Sequence, residues 1–433
     1  MKWPTTKLKD VALIQMGQSP PGHTYNDRGE GLPFFQGKVD FGDKHPRVRI
    51  WCSSPNRIAE SGDVLLSVRA PVGPTNVADR QCCIGRGLAA IRSLAPAVIL
   101  PDFIRYVFKW VEPELSRKGQ GSTFTAINRK DVESIQFPLP PLSEQRRIVE
   151  ILDQADALRK KRAEADAKAA RILPALFYKM FGDPATNPRN WNIKSLSQVI
   201  RGKPQYGANA SAVEWLEGMP RYVRITDITQ DGRLSQSGVA TLDLEDWEPY
   251  RLVPGDLLFA RSGNTVGKTY LYRQEDGLCA YAGYLIRFQA DPEQVTPWYL
   301  FSLTQTGYYK SWVEARKRVA GQPNINGKEY SSLQIPCPPL SRQQQFTTMV
   351  ESLISSQNKR DASTERVDRL FNIILHRAFS GDLTAKWREA HMKELVKEME
   401  QQAKALGIDD WRLPIEGKNQ SSIIDHKLEI PHA

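Results

Sequence analysis

The sequence predicts an α+β protein built from two similar mixed α/β modules, each followed by a long helix. The first supporting observation is a duplication, because residues 126–145 and residues 324–343 share one pattern of Asn, Lys, Pro-Pro-Leu-Ser and Gln. A step of 198 residues separates Asn128 from Asn326 (326 − 128). A period this long indicates a duplicated domain, since solenoid units repeat at far shorter periods.

The second observation is that both modules carry short apolar runs bounded by turn residues, which predicts short strands mixed with a few helices. Gly-Asp-Val-Leu-Leu at 62–66 returns as Gly-Asp-Leu-Leu-Phe at 255–259. A helix predicted to start at Pro101 returns at Pro297. The modules differ most elsewhere, so we expect one scaffold that carries two different recognition surfaces.

The third observation is a stripe of apolar residues at alternating steps of three and four after each Pro-Pro-Leu-Ser motif. The stripes run from Ile148 to Met180 and from Phe346 to Ala378. This spacing is typical of a coiled-coil seam or an amphipathic helix face. The centre of the second stripe, residues 357–364, is polar, so we expect neither helix to be stable unless it packs on the other.

Each long helix has a predicted start, and the first has a predicted break. Ser143 and Ser341 are placed as N-caps after the Pro-Pro pairs. Pro174 should kink the first helix or end its regular part. If the two helices pair as an antiparallel coiled coil, the modules are related by an approximate two-fold axis. A helix of about 38 residues, roughly 57 Å long at ~1.5 Å per residue, then separates them.

These patterns divide the chain into five segments. The predicted boundaries are 1–141 for the first module, 142–183 for the first spacer helix, 184–339 for the second module, 340–382 for the second spacer helix and 383–433 for a C-terminal helical tail. The tail is charged and helical in pattern from Trp387 to Leu406, which favours a surface helix with a frayed end.

The composition favours a basic protein of the cytoplasm. A net charge of +10 and a pI near 9.2 fit a polyanionic partner. The five cysteines include no Cys-x-x-Cys pair and no His at ligand spacing, so we expect reduced thiols and no zinc site. The N-terminus lacks the apolar core of a signal peptide, and no apolar run approaches the ~20 residues of a membrane span.

The sequence offers no catalytic constellation. Residues 262–269 suggest a phosphate-binding loop, but Ser262 stands where that motif needs Gly, and residues 270–272 continue as a strand. We therefore predict a strand-turn-strand. No Asn/Asp-Pro-Pro-aromatic loop of an adenine methyltransferase occurs, and the six histidines are scattered. We expect a chain that is not an enzyme and that binds neither a metal nor a cofactor.

Several motifs together resemble the DNA-specificity subunit of a type I restriction-modification system. They are residues 138–148 with their copy from Pro336, and residues 67–73, 83–91, 255–268 and 379–388. The resemblance covers nearly the whole chain. It implies two target-recognition domains, each reading one half of a split DNA site, and paired helices that set the spacing and dock modification subunits.

The resemblance also implies the partners. They are double-stranded DNA, two modification (methyltransferase) subunits and restriction (nuclease-translocase) subunits, with S-adenosylmethionine, ATP and Mg bound by those subunits rather than by this chain. Three alternatives remain at this point. They are a specificity subunit of a related methyltransferase-nuclease system that cuts at fixed distance, a coiled-coil protein scaffold, and a self-contained methyltransferase.

Polar and basic residues in the predicted turns and loops are the candidate DNA contacts, with Arg69 and Arg261, on equivalent turns of the two modules, expected to read opposite half-sites. The candidates are Gln36, Lys38, Arg69, Thr75, Arg86, Lys118, Ser122, Thr123, Asn128, Arg221, Arg224, Arg261, Ser262, Asn264, Lys268, Gln322, Asn324 and Asn326. The candidate partner-docking residues at the helix starts are Glu144, Gln145, Arg146, Arg147, Gln343 and Gln344. The basic residues of the first helix, at 146–147 and 159–162, could touch the DNA backbone across the spacer, but a charged solvent face is the favoured interpretation.

Overall fold

The structure is a computed structural model that describes residues 3–118, 126–317 and 323–406. The chain divides into two compact units. Unit 1 comprises residues 1–161 and 365–433, and unit 2 comprises residues 162–364. Each unit contains one module together with segments of the two long helices.

Module 1 is a mixed α/β assembly. Its strands are β1 (Thr5–Lys7), β2 (Ala12–Met16), β3 (Tyr25–Asn26), β4 (Leu32–Phe35), β5 (Trp51–Cys52), β6 (Ile58–Ala59), β7 (Val64–Ser67), β8 (Thr75–Val77), β9 (Cys82–Ile84), β10 (Leu88–Ser93) and β11 (Gln136–Pro138). Its helices are α1 (Leu8–Val11), α2 (Pro101–Lys118) and α3 (Arg129–Glu133). The strands form sheets ordered β2-β10-β7-β8, β3-β5-β4-β9-β6 and β1-β11.

The first long helix is interrupted once. It forms α4 (Leu142–Ala169) and α5 (Ile172–Phe181), with Pro174 in the first turn of α5. The prediction that Pro174 ends the regular part of this helix is confirmed. Proline lacks an N–H and its ring clashes with the carbonyl four residues earlier, so a regular helix does not continue through it.

The predicted N-caps are wrong by two residues. α4 starts at Leu142 and the N–H of Gln145 donates to the carbonyl of Pro141 (2.8 Å), so Ser143 lies inside the first turn. The second long helix starts at Leu340, which likewise places Ser341 in its first turn. Proline is well tolerated at a helix start because its fixed φ suits that position.

Module 2 repeats the architecture of module 1. Its strands are β12 (Asn192–Ser195), β13 (Gln205–Tyr206), β14 (Ser211–Glu214), β15 (Arg221–Val223), β16 (Ala240–Asp243), β17 (Asp256–Ala260), β18 (Thr269–Leu271), β19 (Cys279–Tyr281), β20 (Leu285–Gln289) and β21 (Gln334–Cys337). Its helices are α6 (Pro297–Thr304), α7 (Gly307–Lys317) and α8 (Gly327–Ser331).

The sheet topology confirms the repeat in most of its strands, although the five-stranded sheet of module 1 is replaced in module 2 by the separate pairs β14-β16 and β15-β19. The order β13-β20-β17-β18 matches β2-β10-β7-β8, and the pair β12-β21 matches β1-β11. The parallel pair β15-β19 matches the parallel pair β4-β9. Strands β17 and β18 are antiparallel across a short turn, which confirms the predicted strand-turn-strand in place of a phosphate-binding loop.

Three helices complete the described chain, namely α9 (Leu340–Ser380), α10 (Ala385–Ala390) and α11 (Met392–Ala405). In unit 1 the beginning of α4 packs against the end of α9, so that Ile148 and Leu152 share a core with Phe371 and Leu375. In the same unit Arg159 Nε lies 2.7 Å from Asp368 Oδ1. Residues later in α4 thus contact residues earlier in α9, so the two helix segments are antiparallel.

The same arrangement occurs within unit 2. Arg162 Nε at the end of α4 donates to Thr364 Oγ1 (2.9 Å). Further along the chain, Phe177 of α5 shares a core with Phe346 and Val350 of α9. Each unit therefore buries part of the apolar stripe, whereas Leu158, near the middle of the first stripe, is 64% exposed.

The C-terminal helices belong to the core of unit 1. Leu395 and Met399 of α11 are each only 1% exposed. The carboxylate of Glu398 accepts a hydrogen bond from the N–H of Ser143 (2.9 Å), which satisfies a free donor at the α4 N-terminus. The opposite face of α11 is exposed, at Lys393, Glu394, Lys397 and Glu400, so the tail is a surface helix that packs on unit 1 by one face. Residues 407–433, where a frayed end was expected, lie outside the described part of the chain.

Within the described residues, no helix combines the length and apolar character that crossing a membrane requires.

The five cysteines are free thiols. Burial raises the pKa of Cys82 to about 12 and that of Cys83 to about 11, so these thiols remain protonated and unreactive near neutral pH.

Candidate nucleic-acid interface

A ladder of backbone hydrogen bonds joins four chain segments at one edge of module 1. The N–H of Gly87 donates to Gln36 O (3.1 Å), that of Val68 to Gly87 O (2.9 Å) and that of Ile127 to Val68 O (3.0 Å). A Cβ atom at position 87 would lie 2.2 Å from the Gln36 oxygen, so this close approach requires glycine. We call this the strand-end edge of module 1, because β4 and β7 end here and β10 begins here.

The strand-end edge brings together four of the predicted DNA-contacting residues. Gln36, Lys38, Arg69 and Arg86 are all exposed. Their side chains make no hydrogen bond to any residue that the structure describes. Burial raises the pKa of the nearby Tyr25, and the positive charge of Arg86 opposes that rise. The edge therefore presents an amide and three cations that are available to base edges or phosphates.

Module 2 repeats two of these bonds at the corresponding edge. The N–H of Arg261 donates to Tyr284 O (3.0 Å), as Val68 does to Gly87, and that of Ile325 donates to Arg261 O (2.9 Å), as Ile127 does to Val68. The bond from Ala282 N–H to Val223 O (3.0 Å) matches the one from Gly85 N–H to Phe35 O (2.8 Å) in module 1. We call this the strand-end edge of module 2. The scaffold that displays the candidate residues is thus built twice in the chain.

The register of the two ladders shows that Arg69 and Arg261, predicted on equivalent turns, do not occupy equivalent positions. Arg69 forms a β-bridge with Ala126, and Ser262 forms the matching bridge with Asn324, 198 residues further along. The counterpart of Arg69 is therefore Ser262, and Arg261 corresponds to the residue before Arg69. Successive side chains of an extended chain point to opposite faces, so the two arginines do not serve the same face of their modules.

Arg261 has a distinct environment of its own. Its Cζ lies 5.0 Å from the centre of the Tyr206 ring, a cation–π distance. Its Nε atom is buried and has no hydrogen-bond partner among the described residues. Beside it Tyr284 is 61% exposed. Tyr284 is a candidate that the sequence reasoning missed, because it lies in a turn whose sequence departs from the Gly-Arg-Gly of module 1.

Arg224 makes hydrogen bonds within module 2, and its role as a DNA contact stays a prediction. Its Nη2 and Nε atoms donate to the two carboxylate oxygens of Asp227 at 2.9 and 3.0 Å. A further bond runs from Nη2 to the Gly238 carbonyl (2.6 Å). The hydrogen bond to Asp227 raises the pKa of Arg224. This bidentate pair fixes the loop after β15.

Arg221 and Lys268 are also used inside module 2. Arg221 Nη2 donates to the carbonyl of Ser235, and Lys268 Nζ donates to the carbonyl of Ile228 (2.6 Å). Both cations are half-buried. These bonds stabilise the loop between β15 and β16, and the expectation that the two residues contact DNA stays a prediction.

The duplicated asparagines are helix caps. Asn128 Oδ1 accepts from the N–H groups of Lys130 (2.8 Å) and Asp131 (3.2 Å), which caps α3. Asn326 Oδ1 accepts from the N–H of Glu329 (3.0 Å), which caps α8. Capping explains why both modules have asparagine here, so the predicted DNA contact is not needed to account for either residue.

The remaining candidates fall into three groups. Ser262, Asn264 and Asn324 lie at the strand-end edge of module 2, where Asn264 and Asn324 are exposed. Thr75 is half-buried in β8, where it pairs with Leu66. Ser122, Thr123, Gln322 and the side chain of Lys118 lie outside the described residues.

Glu144, a predicted docking residue, is fully buried in unit 1. Its carboxylate accepts hydrogen bonds from Trp3 Nε1 (2.8 Å), Thr384 Oγ1 (2.6 Å) and Arg388 Nε (2.9 Å). The prediction that Glu144 docks a partner is wrong, because the side chain is enclosed by its own chain. It ties the α4 N-terminus to the C-terminal helices.

Gln145 and Gln343 are also fully buried, and their docking predictions are wrong for the same reason. Gln145 accepts from Leu100 N–H (3.0 Å) and donates to Val98 O (2.8 Å) and Pro140 O (2.9 Å). We call this set of bonds the glutamine clamp, and Gln343 repeats it in unit 2.

The exposed docking candidates are Arg146, Arg147 and Gln344. Arg147 Nη1 pairs with Glu150 (2.8 Å) on the same helix face.

The basic residues further along α4 form ion pairs within their units, since Lys160 pairs with Asp43 (2.7 Å) and Arg162 with Asp166 (3.3 Å). Lys161 is exposed, so the charged solvent face that was expected is present in part. In the described part of the chain, no group of three or more His, Cys, Asp or Glu side chains is arranged to hold a metal ion.

A comparison with protein families identifies the class. The model of the type I restriction modification DNA specificity domain matches residues 1–166 and again residues 188–365. The chain belongs to this family. The two matched stretches correspond to the two modules, each with the start of the helix that follows it.

Individual relatives carry the same description. The putative type I restriction enzyme MjaX specificity subunit of Methanocaldococcus jannaschii is 42% identical over 167 residues, which are 38% of this chain and 39% of that protein. The chain thus spans well under half of that relative's length. The type I restriction enzyme EcoDI specificity subunit of Escherichia coli is 24% identical over 428 residues, covering 89% of this chain and 90% of that protein.

One solved structure supports the fold over most of the chain. It is the S subunit of a type I restriction-modification system from M. genitalium, with a TM-score of 0.54, 13% identity, and coverage of 88% of this chain and 96% of that one. At this identity the likeness concerns the fold alone.

Proposed function

We propose that this chain is the non-catalytic specificity subunit of a type I restriction-modification complex. It binds double-stranded DNA through the strand-end edges of its two modules, and each edge reads one half of a bipartite target. Family membership and the duplicated edge support this function over a fixed-distance cutting system, a protein scaffold or a self-contained methyltransferase.

The observation that carries the proposal is that the two edges share a backbone ladder but differ in their side chains. Arg69 and Arg86 of module 1 correspond to Ser262 and Gly283 of module 2. A common scaffold with different donors suits two half-sites of unlike sequence. Exposed arginines suit guanine in the major groove, to which they donate two parallel hydrogen bonds.

The proposed partners follow from the same function. Two modification subunits methylate the target that this chain selects, and restriction subunits cleave DNA. S-adenosylmethionine, ATP and Mg are bound by those subunits, which act with this chain in the cytoplasm. Arg146, Arg147 and Gln344 are the exposed candidates for docking the modification subunits.

The long helices are proposed to form an antiparallel coiled coil that relates two target-recognition domains by a pseudo-two-fold axis. Antiparallel packing of helix segments within each unit supports this arrangement. The coiled coil would set the distance between the half-sites, because a packed helix pair transmits length rigidly.

The test of DNA reading is a binding and methylation assay on the chain assembled with its modification subunit. Binding should be specific for one bipartite sequence and should weaken linearly in log affinity with log salt, as phosphate contacts require. Sequencing methylated adenines in cells with and without the chain identifies the target. Binding that is indifferent to DNA sequence would contradict the proposal and favour a scaffold.

The test of the spacer is a paired insertion of one heptad after Lys161 and one after Lys359. The insertion preserves the apolar seam and adds ~10 Å at ~1.5 Å per residue, which is roughly three base pairs at ~3.4 Å each. The methylated motif should keep both half-sites and gain spacer length. An active variant that methylates the original spacing would show that the partner subunits set it.

A further inference from the structure

In unit 1, one face of α2 packs against α4 through a buried tyrosine ring and two cation–carboxylate pairs. Tyr106 Oη donates to Asp153 Oδ1 (2.6 Å), and Arg105 Nη2 donates to the same oxygen (2.7 Å). One turn further along, Lys109 Nζ donates to Asp156 Oδ1 (2.9 Å). Tyr106 is fully buried, so its phenol ring fills the space between the two helices.

The glutamine clamp fixes the register between this helix and its counterpart in unit 2. Gln145 accepts from the N–H of Leu100, and Gln343 accepts from the N–H of Thr296, both at 3.0 Å. Each acceptor holds the residue immediately before the helix, α2 in one case and α6 in the other. Equivalent faces of the two helices can therefore be compared residue by residue.

At the sixth position of the helix, Tyr106 of α2 is replaced by Ser302 of α6. The charged residues of the same face are replaced as well, so that Phe301 stands for Arg105 and Gln305 for Lys109. At these three positions of α6, unit 2 therefore has neither the phenol ring nor the charged side chains that α2 has in unit 1.

A cavity of about 300 Å³ occupies this place in unit 2. It lies among α6, α9, the junction of α4 with α5 and the loop at residues 230–233. Apolar side chains dominate its wall, including Leu173, Trp298, Phe301 and Ile354. Apolar cavities of about 150 Å³ already hold benzene-sized ligands, and ligand pockets begin near ~300 Å³.

Ser302 supplies a polar group to this apolar wall. Its side chain is 3% exposed, and its Oγ has no hydrogen-bond partner among the described residues. The neighbouring Thr304 and Thr306 instead bond to carbonyls three residues earlier, at 2.6 and 2.7 Å. A buried hydroxyl without a partner is costly, and a ligand atom in the cavity would satisfy it.

We propose that this cavity binds a mono- or bicyclic aromatic compound that carries one hydrogen-bonding group, of the phenol or indole class. Its ring lies against Trp298 and Phe301, in the space that the Tyr106 ring occupies in unit 1. Its polar group bonds to Ser302 Oγ. Such a ligand joins module 2 to the long helices in the way that the phenol of Tyr106 joins module 1 to them.

The experiment titrates phenol and, separately, indole into the full chain by isothermal titration calorimetry. The wild-type chain should bind both with one site per chain. Ser302→Tyr places the missing ring in the cavity, so it should abolish binding and raise the melting temperature. Ser311→Tyr adds the same ring at an exposed position of α7 and should leave binding unchanged.

A second variant covers the case in which Ser302→Tyr fails to fold. Ser302→Ala keeps the cavity and removes only the hydroxyl, so phenol should bind about tenfold more weakly while toluene binding is unchanged. Three results would overturn the proposal. They are no binding to the wild type, binding that survives Ser302→Tyr, or a Ser302→Tyr chain that loses only its assembly with the modification subunit, which would make the cavity a socket for a partner side chain.

Discussion

Neighbouring residues at the start of the two long helices behave in opposite ways. Gln145 and Gln343 are identical, fully buried and bonded to equivalent backbone groups. The residues before them differ, since Glu144 is buried against Arg388 while Arg342 is exposed near the Trp191 ring. Side chains that are the same in both units stabilise the common scaffold, whereas side chains that differ make contacts found in one unit and not in the other.

The largest expected effect is at the changed position. Glu144→Ala should lower the free energy of unfolding by about 3–5 kcal/mol, because Arg388 loses the carboxylate of a buried ion pair. Arg342→Ala, the matched change in unit 2, should stay within about 0.5 kcal/mol because that side chain is exposed. Urea denaturation followed by tryptophan fluorescence measures both. Equal losses in the two variants would mean that the units do not differ here.

The next effect concerns the repeated position. Gln343→Ala should cost about 3 kcal/mol, because it leaves one N–H and two carbonyls of the clamp without their partner. Gln145→Ala should cost about 1 kcal/mol less, since Gln402 Nε2 also donates to Val98 O (2.9 Å). The same denaturation experiment ranks the two. A larger loss for Gln145→Ala would show that Gln402 gives no support.

DNA reading should separate the two strand-end edges. Arg69→Ala should reduce discrimination in one half-site by about 1–3 kcal/mol, the contribution of a bidentate arginine to guanine. Ser262→Ala, the equivalent change in module 2, should have a smaller effect on the other half. Sequencing the methylated sites of complexes built with each variant provides the measurement. Relaxation of both halves by Arg69→Ala would indicate a folding or backbone role instead.

The smallest expected effects are equal in the two modules. Asn128→Ala and Asn326→Ala should each cost about 1 kcal/mol of stability through loss of a helix cap, with the methylated sequence unchanged. Thermal unfolding and methylation mapping test both parts. A changed target sequence at normal stability would restore the asparagines as reading residues.

The sequence predicted the duplicated scaffold because the signals for it are local. Strands β7 and β17, helices α2 and α6, and the break before Pro174 follow from apolar periodicity, turn residues and proline chemistry. The overlap of the predicted repeat with the sheet orders confirms that a 198-residue step is enough to reveal two modules.

The candidate site was predicted less well because its details depend on distant contacts. The step between the modules is not constant, so assigning Arg69 and Arg261 to equivalent turns did not reveal that the counterpart of Arg69 is Ser262. Burial of Glu144 depends on Arg388, which lies 244 residues away in sequence. No spacing rule reveals such a contact. The hydrogen bonds of Arg221 and Lys268 could not be predicted either, because their acceptors are backbone carbonyls, which a pattern of side chains does not show.

The division of the chain into units has a consequence for biosynthesis. Unit 2 is one continuous stretch, whereas unit 1 requires residues 365–406 to return to an N-terminal module that was synthesised first. Chains generally fold from the N-terminus as they leave the ribosome. Here module 1 emerges early but waits for Phe371, Leu375 and Arg388, so we expect the second unit to finish folding before the first. A message truncated shortly after residue 364 would yield a folded second half attached to a first half with an open core, and therefore a chain that quality-control proteases recognise from its N-terminal side.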